Sequence, residues 1–526
     1  MKKHVWMTLL FLWALGASAD EHISIAFPDS WVAQSLSEYV GQTVVFDDPM
    51  VVCNNAGPAL VVSPRRLFEA TNQAAPRTPE YASTLRANST GYVNLNGVSG
   101  YHRCGEKIYN LRAKVKSSTS LTFISGTFRG NTRAELEAGL PDLGDYDLLV
   151  CGFNIENYFV RNLGSEFLGA NSEYEHQKQR AKVSAALRKI NADLFGFAEL
   201  EDGTAALEEI IADLNKSLPA RHYVYAAGVR QEGSNQMVDF VYDENVLEPI
   251  GKIQRNQAGT NDNRKKMICF REKATGEKFI YAINHFKAKS GNGTGGDANQ
   301  GDGQGAFNAT RVMEAQSVIE EYKRYYPDIK ESDILLMGDL NAFGKEDPVT
   351  RLTSNGFIDL HRAFHADSSY SYRQRNGIYA GYLDHALCNN TMYGQITGMA
   401  GYHINSDETD DYSYKNSSDK SMFRCSDHDP ILVGLKLDST LVFNPDLSIN
   451  SLEVMSRSGE DLTISNGWKE GQHSYYAVYD ISGRPVISRQ EITSVMQPVA
   501  LPLQPGVYIL YIYYDSKIYQ HKFIVR

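Results

Sequence analysis

The sequence predicts a layered α/β sandwich with a smaller β-rich domain on either side. Three observations predict it. The 526-residue length exceeds what one hydrophobic core supports, the middle of the chain alternates apolar strand-like runs with amphipathic helical patterns, and both ends show only short β-like runs between turn residues. We place the boundaries at 1–19 for a leader, 20–142 for a β-rich accessory domain, 143–438 for the α/β domain and 439–526 for a C-terminal β-sandwich.

The first 19 residues have the pattern of a secretory signal peptide. Two lysines precede an apolar run that ends near Leu15, and the small residues 17–19 follow it. A membrane anchor is the alternative, but the run is too short to cross about 30 Å of hydrocarbon. We therefore expect export, cleavage after Ala19, a secreted or cell-surface location and no transmembrane segment in the mature chain.

The chain contains six cysteines, and export to an oxidising compartment would allow them to pair. The sequence does not give their connectivity, because six cysteines allow many pairings. We expect Cys53 to pair with Cys104 in the N-terminal region, and Cys388 to pair with Cys425, which would link two segments rich in ionisable residues. No Cys-x-x-Cys spacing occurs, which argues against a zinc site.

The chain is acidic, with a formal net charge of −11. This charge argues against broad, salt-driven adhesion to nucleic acid. It does not exclude a phosphate-containing substrate, because a divalent cation held by a few carboxylates would supply positive charge locally.

The region from 21 to 140 shows short β-like runs at 44–46, 59–62, 108–115 and 121–124, separated by Gly, Pro, Asn and Ser. This pattern predicts a small barrel or sandwich.

The predicted strands of the middle region share one arrangement, in which polar residues follow an apolar run. A single case is usually a cap or turn residue, but six cases favour one polar rim where the strand ends meet. Carboxylate and amide oxygens suit Mg²⁺, and a His paired with an Asp suits activation of water, so the rim suits phosphodiester hydrolysis. No Gly-x-Ser-x-Gly or Walker motif occurs. The polar residues are Asn154 and Glu156, Glu199 and Glu201, Asn284 and His285, Asp339 and Asn341, Asp384 and His385, and Asp427 and His428.

A series of motifs in this region resembles the endonuclease/exonuclease/phosphatase superfamily, and most closely its secreted bacterial extracellular nucleases. The resemblance runs in order through nearly all of 143–438 and implies a four-layer, deoxyribonuclease-like sandwich. The motifs are "GFNIENYF", "FGFAELE", "INHFKAKSG", "ANQGDGQGAFNATRV", "LLMGDLNAFGKEDP", "YSYRQRNGIYAGYLDHAL", "HINSDE" and "SDHDPILVGL".

The resemblance implies a role for each matched residue. His428 would be the general base, oriented by Asp384, and His285 would stabilise the phosphate in the transition state. The metal, Mg²⁺ or else Mn²⁺ or Ca²⁺, would be held by Asn154, Glu199 and Asp427. Asp339 and Asn341 would contact the scissile phosphate and its attacking or leaving oxygens, and Asn284 and Arg311 would bind substrate. Glu156, Glu201, His385 and Asp429 would be structural or would support the ligating residues from behind.

One stretch departs from the family pattern. Where the family has an apolar strand followed by an Arg, this chain has "NQMVDFVYDENV" with Asp239 and Asp243, which makes substrate preference less certain.

The glycine-rich segment "SGNGTGGDANQGDGQGAFNATR" has two interpretations. It is either a flexible surface loop or the loop beside the nuclease site, with Arg311 available to phosphate. We favour the second.

The C-terminal motifs "YDISGRPV", "LPLQPGVYILYIYY" and "KFIVR" resemble the sorting domain of type IX secretion, which implies export by that machinery. An immunoglobulin-like accessory domain is the alternative. In the similar nucleases the N-terminal region is often an oligonucleotide-binding barrel, but its motifs are weak here.

Together these features predict a secreted, monomeric, metal-dependent phosphodiesterase. We expect it to be an endonuclease that either prefers DNA or hydrolyses both DNA and RNA. A phosphatase or lipid phosphodiesterase of the same superfamily, and a catalytically silent surface binding protein, are the alternatives.

Overall fold

The computed structural model describes residues 23–26, 31–228, 230, 235–255, 262–329, 331–366, 368–374 and 377–437, and in the C-terminal region 452–457, 461–466, 475–480, 484–492, 496–499, 506–514 and 517–525. The predicted signal peptide lies outside the described residues.

The N-terminal region forms one sheet in the order β1-β2-β6-β3-β4-β5-β7, with a further pairing of β6 to β7 that closes a barrel. A single apolar core fills its interior, including Phe46, Val62 and Leu111. The strands are β1 (Ile23–Ile25), β2 (Thr43–Phe46), β3 (Met50–Asn54), β4 (Ala59–Ser63), β5 (Val93–Asn96), β6 (Lys107–Ser117) and β7 (Ser120–Arg129), and the helices are α1 (Ala70–Gln73), α2 (Pro79–Thr90) and α3 (Arg133–Ala138).

Two larger sheets form the middle of the molecule. The first sheet has the order β10-β11-β9-β8-β21-β20, and the second sheet has the order β12-β13-β14-β15-β19-β16. Their strands, together with the β17–β18 pair, are β8 (Leu148–Tyr158), β9 (Leu194–Glu201), β10 (Tyr223–Tyr225), β11 (Gln236–Asp243), β12 (Leu247–Arg255), β13 (Lys265–Glu272), β14 (Lys278–His285), β15 (Ile334–Asp339), β16 (Ile358–Asp359), β17 (Tyr372–Arg373), β18 (Ala380–Gly381), β19 (Asp384–Cys388), β20 (Ile396–Gly401) and β21 (Ile431–Leu435).

Helices cover the outer faces of both sheets. Leu187 of α4 and Ile210 of α5 pack on the first sheet, and Val318 of α6 and Leu352 of α7 pack on the second. The described helices are α4 (Glu173–Ile190), α5 (Ala205–Ser217), α6 (Asn308–Ile329), α7 (Asp347–Thr353), α8 (Leu360–His365) and α9 (Asn390–Tyr393).

The two sheets pack face to face on a shared apolar core. Phe240 of the first sheet meets Tyr281 of the second edge to face, with ring centroids 6.2 Å apart. Gly196 allows this close approach, because a Cβ there would lie 2.0 Å from the Tyr281 hydroxyl. The order helix, sheet, sheet, helix confirms the predicted four-layer α/β sandwich.

Helix α4 illustrates how local sequence sets an element. The Ser172 side chain caps it by accepting from the Glu175 amide, and Asn191 ends it in the left-handed region at φ 52°. On its inner face Gln179 donates to the carbonyls of Ile155 and Glu156. The helix therefore holds the backbone where β8 reaches the polar rim.

Strand direction gathers the polar residues. β8 and β9 are parallel, as are β14 and β15, so the carboxyl ends of these four strands point to the same rim. β19 and β21 run antiparallel to their neighbours, so their first residues start at that rim. The polar residues that follow some strands and precede others therefore meet.

The C-terminal region contains two sheets, ordered β22-β23-β26 and β25-β24-β27-β28. Ile464, Val478 and Leu510 are among the residues of their common core. The strands are β22 (Leu452–Arg457), β23 (Asp461–Asn466), β24 (Tyr475–Asp480), β25 (Pro485–Glu491), β26 (Met496–Val499), β27 (Gly506–Tyr514) and β28 (Lys517–Val525).

The structure contradicts both predicted disulfides. All six cysteines lie within the described residues, are buried, and form no disulfide there. Cys388 packs in the core between the two sheets, whereas Cys425 packs on the helix-covered side of the first sheet, so a sheet separates them. Cys53 and Cys104 are both buried near the barrel end without a bond between them.

Among the described residues, no helix combines the length and the apolar character that crossing a membrane requires.

Candidate active site

A buried histidine–aspartate pair lies at the centre of the rim. The Nδ1 atom of His428 lies 2.7 Å from the Oδ2 atom of Asp384. Ser371 donates its hydroxyl to the same Asp384 oxygen at 2.7 Å, and the Tyr372 ring packs against the imidazole with centroids 4.7 Å apart. These contacts fix the imidazole, so that its Nε2 atom faces the remaining rim residues.

The charge state of His428 follows from its neighbours. Burial disfavours the charged form, but the carboxylates of Asp384, Asp427 and Asp339 together raise the pKa of His428 well above its ordinary value. A cation at the rim would offset the charges of Asp427 and Asp339 and so lower this pKa, which would leave the ring neutral and able to accept a proton.

Asp339 lies between two histidines. Its Oδ2 atom is 3.7 Å from His285 Nε2 and 3.9 Å from His428 Nε2, and it accepts a hydrogen bond from Asn154 at 3.1 Å. Strand register explains the arrangement, because Asp339 pairs with His285 on one side and with Asp384 on the other. Burial raises the pKa of Asp339 to about 7.

Asn341 supports Asp339 from a left-handed backbone position at φ 47°. The backbone amide of Asn341 donates to Asp339 Oδ1 at 2.8 Å, and its side-chain Nδ2 donates to the Phe286 carbonyl at 3.1 Å. The structure thus brings Asn341 next to Asp339 at the rim.

Three carboxylates lie on the other side of the rim. Glu199 and Asp427 keep 18% and 33% of their side-chain surface exposed. Burial first, and the charge of Asp427 second, raise the pKa of Glu199. The same two causes raise the pKa of Glu156 to about 8. These groups repel one another in the absence of a cation.

Glu156 lies among the rim carboxylates, where we expected a residue that is structural or that supports the ligating residues. Its Oε2 atom is buried and has no hydrogen-bond partner among the described residues. An acceptor oxygen of this kind beside other carboxylates is typical of a ligand for a hard cation. Glu156 therefore joins the carboxylate group of the site.

The donor set fits a divalent cation. Ligand atoms of Glu199, His285 and Asp339 all lie within 4.8 Å of one another. With Glu156 and Asp427 the rim offers oxygen atoms with incomplete hydrogen bonding and like charges close together. Mg²⁺ and Mn²⁺ prefer such oxygen-rich sets.

His285 is buried at the rim. Its side chain is 4% exposed, and burial, followed by the nearby Arg264 charge, lowers its pKa well below the ordinary value. Because a lowered pKa disfavours the imidazolium, the predicted stabilisation of the phosphate would come from a neutral N–H donor. The Nε2 atom lies 3.7 Å from Glu199 Oε1, where the ring also suits a metal ligand.

Two predicted substrate-binding residues donate their side chains to backbone carbonyls. The Arg311 guanidinium is fully buried and donates to the carbonyls of Gln304, Ala306 and Lys287, so it holds the glycine-rich loop. Those contacts correct its predicted role to a structural one. Asn284 is also buried, and its Nδ2 donates to the Met337 carbonyl, while its role in substrate binding stays a prediction.

The sequence reasoning missed Arg264. It precedes β13, its side chain hydrogen-bonds Gln236, and its charge acts on Glu199 and Asp339. Lys287 adds a second positive charge near His285. No motif marks Arg264, because its place at the rim depends on how β13 pairs with β14.

The acidic departure at Asp239 does not face the site. This carboxylate is fully buried and bonds to Arg230 and to Lys266, each at 2.7 Å. Asp243 is likewise buried and pairs with Arg221 at 3.2 Å. The charge that made substrate preference less certain is neutralised inside the fold.

Three further rim-adjacent residues have structural contacts. Glu201 accepts from the backbone amides of residues 160–162, His385 Nε2 lies 2.7 Å from the Ala342 carbonyl, and Asp429 accepts from the amides of Asn405 and Ser406. They shape the loops that carry the site.

No family model matches the chain, and a search of curated proteins found no match. Solved structures similar to it include an endonuclease/exonuclease/phosphatase from Bacteroides vulgatus, at 15% identity and TM-score 0.38 over 55% of this chain and 99% of that one. A mannosyl-6-phosphatase from Bacteroides thetaiotaomicron has 16% identity and TM-score 0.37 over 55% of this chain and 100% of that one. TDP2 from D. rerio, complexed with a single-strand DNA product, has 12% identity and TM-score 0.37 over 55% and 99%. These similarities are low, and the conclusions below rest on the geometry of the site.

Proposed function

We propose that this chain is a divalent-metal-dependent phosphodiester hydrolase of the endonuclease/exonuclease/phosphatase superfamily, and that it acts on extracellular DNA as an endonuclease. One observation carries the proposal: the His428–Asp384 pair, 2.7 Å between Nδ1 and Oδ2, faces a rim of carboxylates that suits a hard cation. A base beside a cation site is what water attack on a phosphodiester needs.

The residues divide the reaction between them. His428 Nε2 takes the proton from the attacking water, while Asp384 holds the Nδ1–H and stabilises the imidazolium. The water oxygen forms the new bond to phosphorus as the bond to the leaving oxygen breaks. Asp339, whose Oδ2 lies 3.9 Å from His428 Nε2 and whose pKa burial raises to about 7, can give a proton to the leaving oxygen.

A cation at this rim would be held by Glu199, whose ligand atom lies within 4.8 Å of those of His285 and Asp339, with Asp427, Glu156 and Asn154 as further oxygen donors. When bound, it supplies charge that offsets the negative phosphate oxygens and polarises the ester. Arg264 and Lys287, whose charges reach the rim, would bind non-bridging oxygens or the neighbouring phosphate of a polynucleotide.

Substrate class is the point to test. Purified protein is incubated with supercoiled plasmid, linear duplex, single-stranded RNA and small phosphoesters, each with Mg²⁺, Mn²⁺ or Ca²⁺ and with a chelator as control. We expect metal-dependent nicking of the closed plasmid that His428→Ala abolishes. Release of inorganic phosphate from monoesters alone would instead assign a phosphatase, and no turnover of any substrate would leave a binding protein.

The proposal includes export through the leader at 1–19 and sorting through the C-terminal β-sandwich. The motifs quoted for each region support it. Mass spectrometry of protein secreted by its own host is expected to show a chain that begins at Asp20, and a chain that keeps its leader in the cytoplasm would contradict export.

A further inference from the structure

Two short segments hold the His428–Asp384 pair. We call residues 370–372 the Tyr370 arm and residues 403–407 the Asp407 arm. In the Tyr370 arm, Ser371 donates to Asp384 Oδ2 at 2.7 Å and accepts, at its carbonyl, the Asp429 amide at 2.7 Å. This arm therefore sets the position of the carboxylate that orients His428.

The Asp407 arm holds the other partner. Asn405 Nδ2 donates to the His428 carbonyl at 2.6 Å. The Asn405 and Ser406 amides both donate to Asp429 Oδ1, at 2.8 and 2.9 Å. This arm therefore sets the backbone that carries the imidazole.

Arg66, which follows β4 of the N-terminal barrel, joins the two arms. Its guanidinium lies 2.8 Å from Asp407 Oδ1 and stacks on the Tyr370 ring, 4.1 Å from the ring centroid. Tyr370 also donates its hydroxyl to Asp407 Oδ2 at 2.8 Å. The Arg66 side chain is 15% exposed and Asp407 is fully buried, so the pair is largely shielded from water.

Other barrel residues reinforce the Asp407 arm. Asn131 donates to Asp407 Oδ2 at 2.7 Å, and the Arg103 guanidinium reaches both the His403 carbonyl and Glu408. His403 in turn lies 3.0 Å from Asp429 Oδ2. The barrel is thus hydrogen-bonded to the Asp407 arm, which precedes His428 in the chain.

We propose that Arg66 is a positioning residue for the catalytic pair, and that the N-terminal barrel is a required part of the active site and not a tethered accessory module. Arg66 touches neither substrate nor reacting atoms. It acts by fixing the distance between the Tyr370 arm and the Asp407 arm, and with it the hydrogen bond from His428 to Asp384. The inference rests on the proposed hydrolytic function.

A cavity of about 430 Å³ allows a direct test. Arg66 lines it together with Arg65, Lys107 and Tyr370. Removal of the Arg66 side chain would leave a place, open to that cavity, for a small guanidinium ion. Arg65 lines the same cavity, and its described hydrogen bonds join its backbone to Cys53 and Ser63, so Arg65→Ala is the matched control.

The test compares Arg66→Ala and Arg65→Ala with the unaltered chain, using a small phosphodiester, bis(4-nitrophenyl) phosphate, and millimolar methylguanidinium. Because a misplacement of about 1 Å costs about 100-fold in rate, we expect kcat of Arg66→Ala to fall about 10- to 100-fold. KM and the metal concentration for half-activation should stay within about twofold, and methylguanidinium should restore most of kcat. Arg65→Ala should match the unaltered chain.

Arg66→Ala leaves Asp407 buried without its cation and would destabilise the fold. The double variant Arg66→Ala/Asp407→Asn removes both charges and keeps the test open. We expect it to fold and still to lose kcat. Full kcat in either folded variant, a loss that methylguanidinium does not reverse in Arg66→Ala, or a loss that only follows the unfolded fraction would each overturn the proposal.

A second measurement does not depend on turnover. The low-field proton resonance of the His428 Nδ1–H, assigned by its loss in His428→Ala, should be present in the unaltered chain and lost in the double variant. An unaltered resonance in that variant would overturn the positioning role. If the unaltered chain hydrolyses no phosphoester, the proposed function fails, while the resonance still reports the geometry.

Discussion

Ser426 connects the loop that carries His428 to β8, since its hydroxyl donates to the carbonyl of Asn154 at 2.7 Å. The same hydroxyl accepts the His428 amide at 3.2 Å. The base and the metal side of the rim are therefore anchored to each other through one side chain, although they lie 274 positions apart in sequence (428 − 154).

His428→Ala is expected to lower the hydrolytic rate by about 10²- to 10⁴-fold, the range typical of lost acid–base catalysis. Because Asp384 acts through the imidazole, the double variant His428→Ala/Asp384→Ala should cost little more than His428→Ala alone. Steady-state kinetics on a phosphodiester measure both. His222→Ala, which changes an exposed surface histidine, is the control, and multiplicative losses in the double variant would separate the two roles.

Asp427→Ala and Glu156→Gln are expected to weaken cation binding while leaving the base intact. Asp427→Ala removes a carboxylate and Glu156→Gln replaces a carboxyl oxygen of the rim, so activity should recover in part when the metal concentration rises. His428→Ala should show no such recovery. Calorimetric titration with Mn²⁺ measures the affinity without turnover, and equal affinity in Glu156→Gln and the unaltered chain would return Glu156 to a structural role.

Arg264→Ala is expected to lower kcat/KM for a polynucleotide by about 10- to 100-fold, since a hydrogen bond to a charged group contributes about 1.5–3 kcal/mol. Arg271→Ala is the matched control. Arg271 belongs to β13, the strand that begins directly after Arg264, and it pairs with Glu248 at the surface. Equal values for the two variants would show that Arg264 binds no phosphate.

Asp407 predicts a pH-dependent loss of stability in acid. Burial opposes its charge, but Arg66 and Arg103 together lower its pKa from 3.8 to about 2. A lowered pKa in the folded state stabilises the fold above the unfolded value, so this contribution is complete above pH 3.8 and is lost as pH falls towards about 2. The shift corresponds to about 2 kcal/mol.

Equilibrium unfolding between pH 5 and pH 2 tests this contribution. Asp407→Asn should be less stable near neutral pH, and its free energy of unfolding should fall less steeply in acid. Asp145→Asn at an exposed ion pair with Lys436 is the control. Parallel curves for Asp407→Asn and the unaltered chain would contradict the assignment.

The cysteines are expected to carry buried thiols. Burial raises the pKa of Cys53 and of Cys425 to about 12, which removes the reactive thiolate at neutral pH. Iodoacetamide should therefore label the native chain slowly and all six positions after unfolding without reductant. If two cysteines stay unlabelled after unfolding and the mass of the chain is two hydrogen atoms below that of the same chain with free thiols, a disulfide exists.

The polar rim could be predicted because the residues that mark the end of a strand are visible in the local sequence. An apolar run followed by Asn, Glu or Asp marks a strand end, and the matched motifs gave their order. Asp384 and His428 lie 2.7 Å apart because β19 and β21 both start at the rim.

Residues whose role depends on tertiary contacts could not be predicted in the same way. Arg311 and Arg264 are both arginines beside polar residues, yet the Arg311 guanidinium donates to backbone carbonyls of the glycine-rich loop, whereas Arg264 hydrogen-bonds Gln236 and its charge acts on Glu199. Asp239 looks like an exposed acid in sequence, but Arg230 and Lys266 pair with it from other segments. Such partners are set by how strands and loops pack together.

Backbone conformation at the rim has a consequence for the evolution of the fold. Glu156, Asn157, Glu199 and Asn341 all have φ between 47° and 64°, a region that costs a non-glycine residue about 1–2 kcal/mol. Glycine at 199 would relieve that strain but would remove the carboxylate. Selection for thermal stability alone would therefore erode this rim first, and variants stabilised without regard to turnover should lose activity at these positions before the layers of the sandwich change.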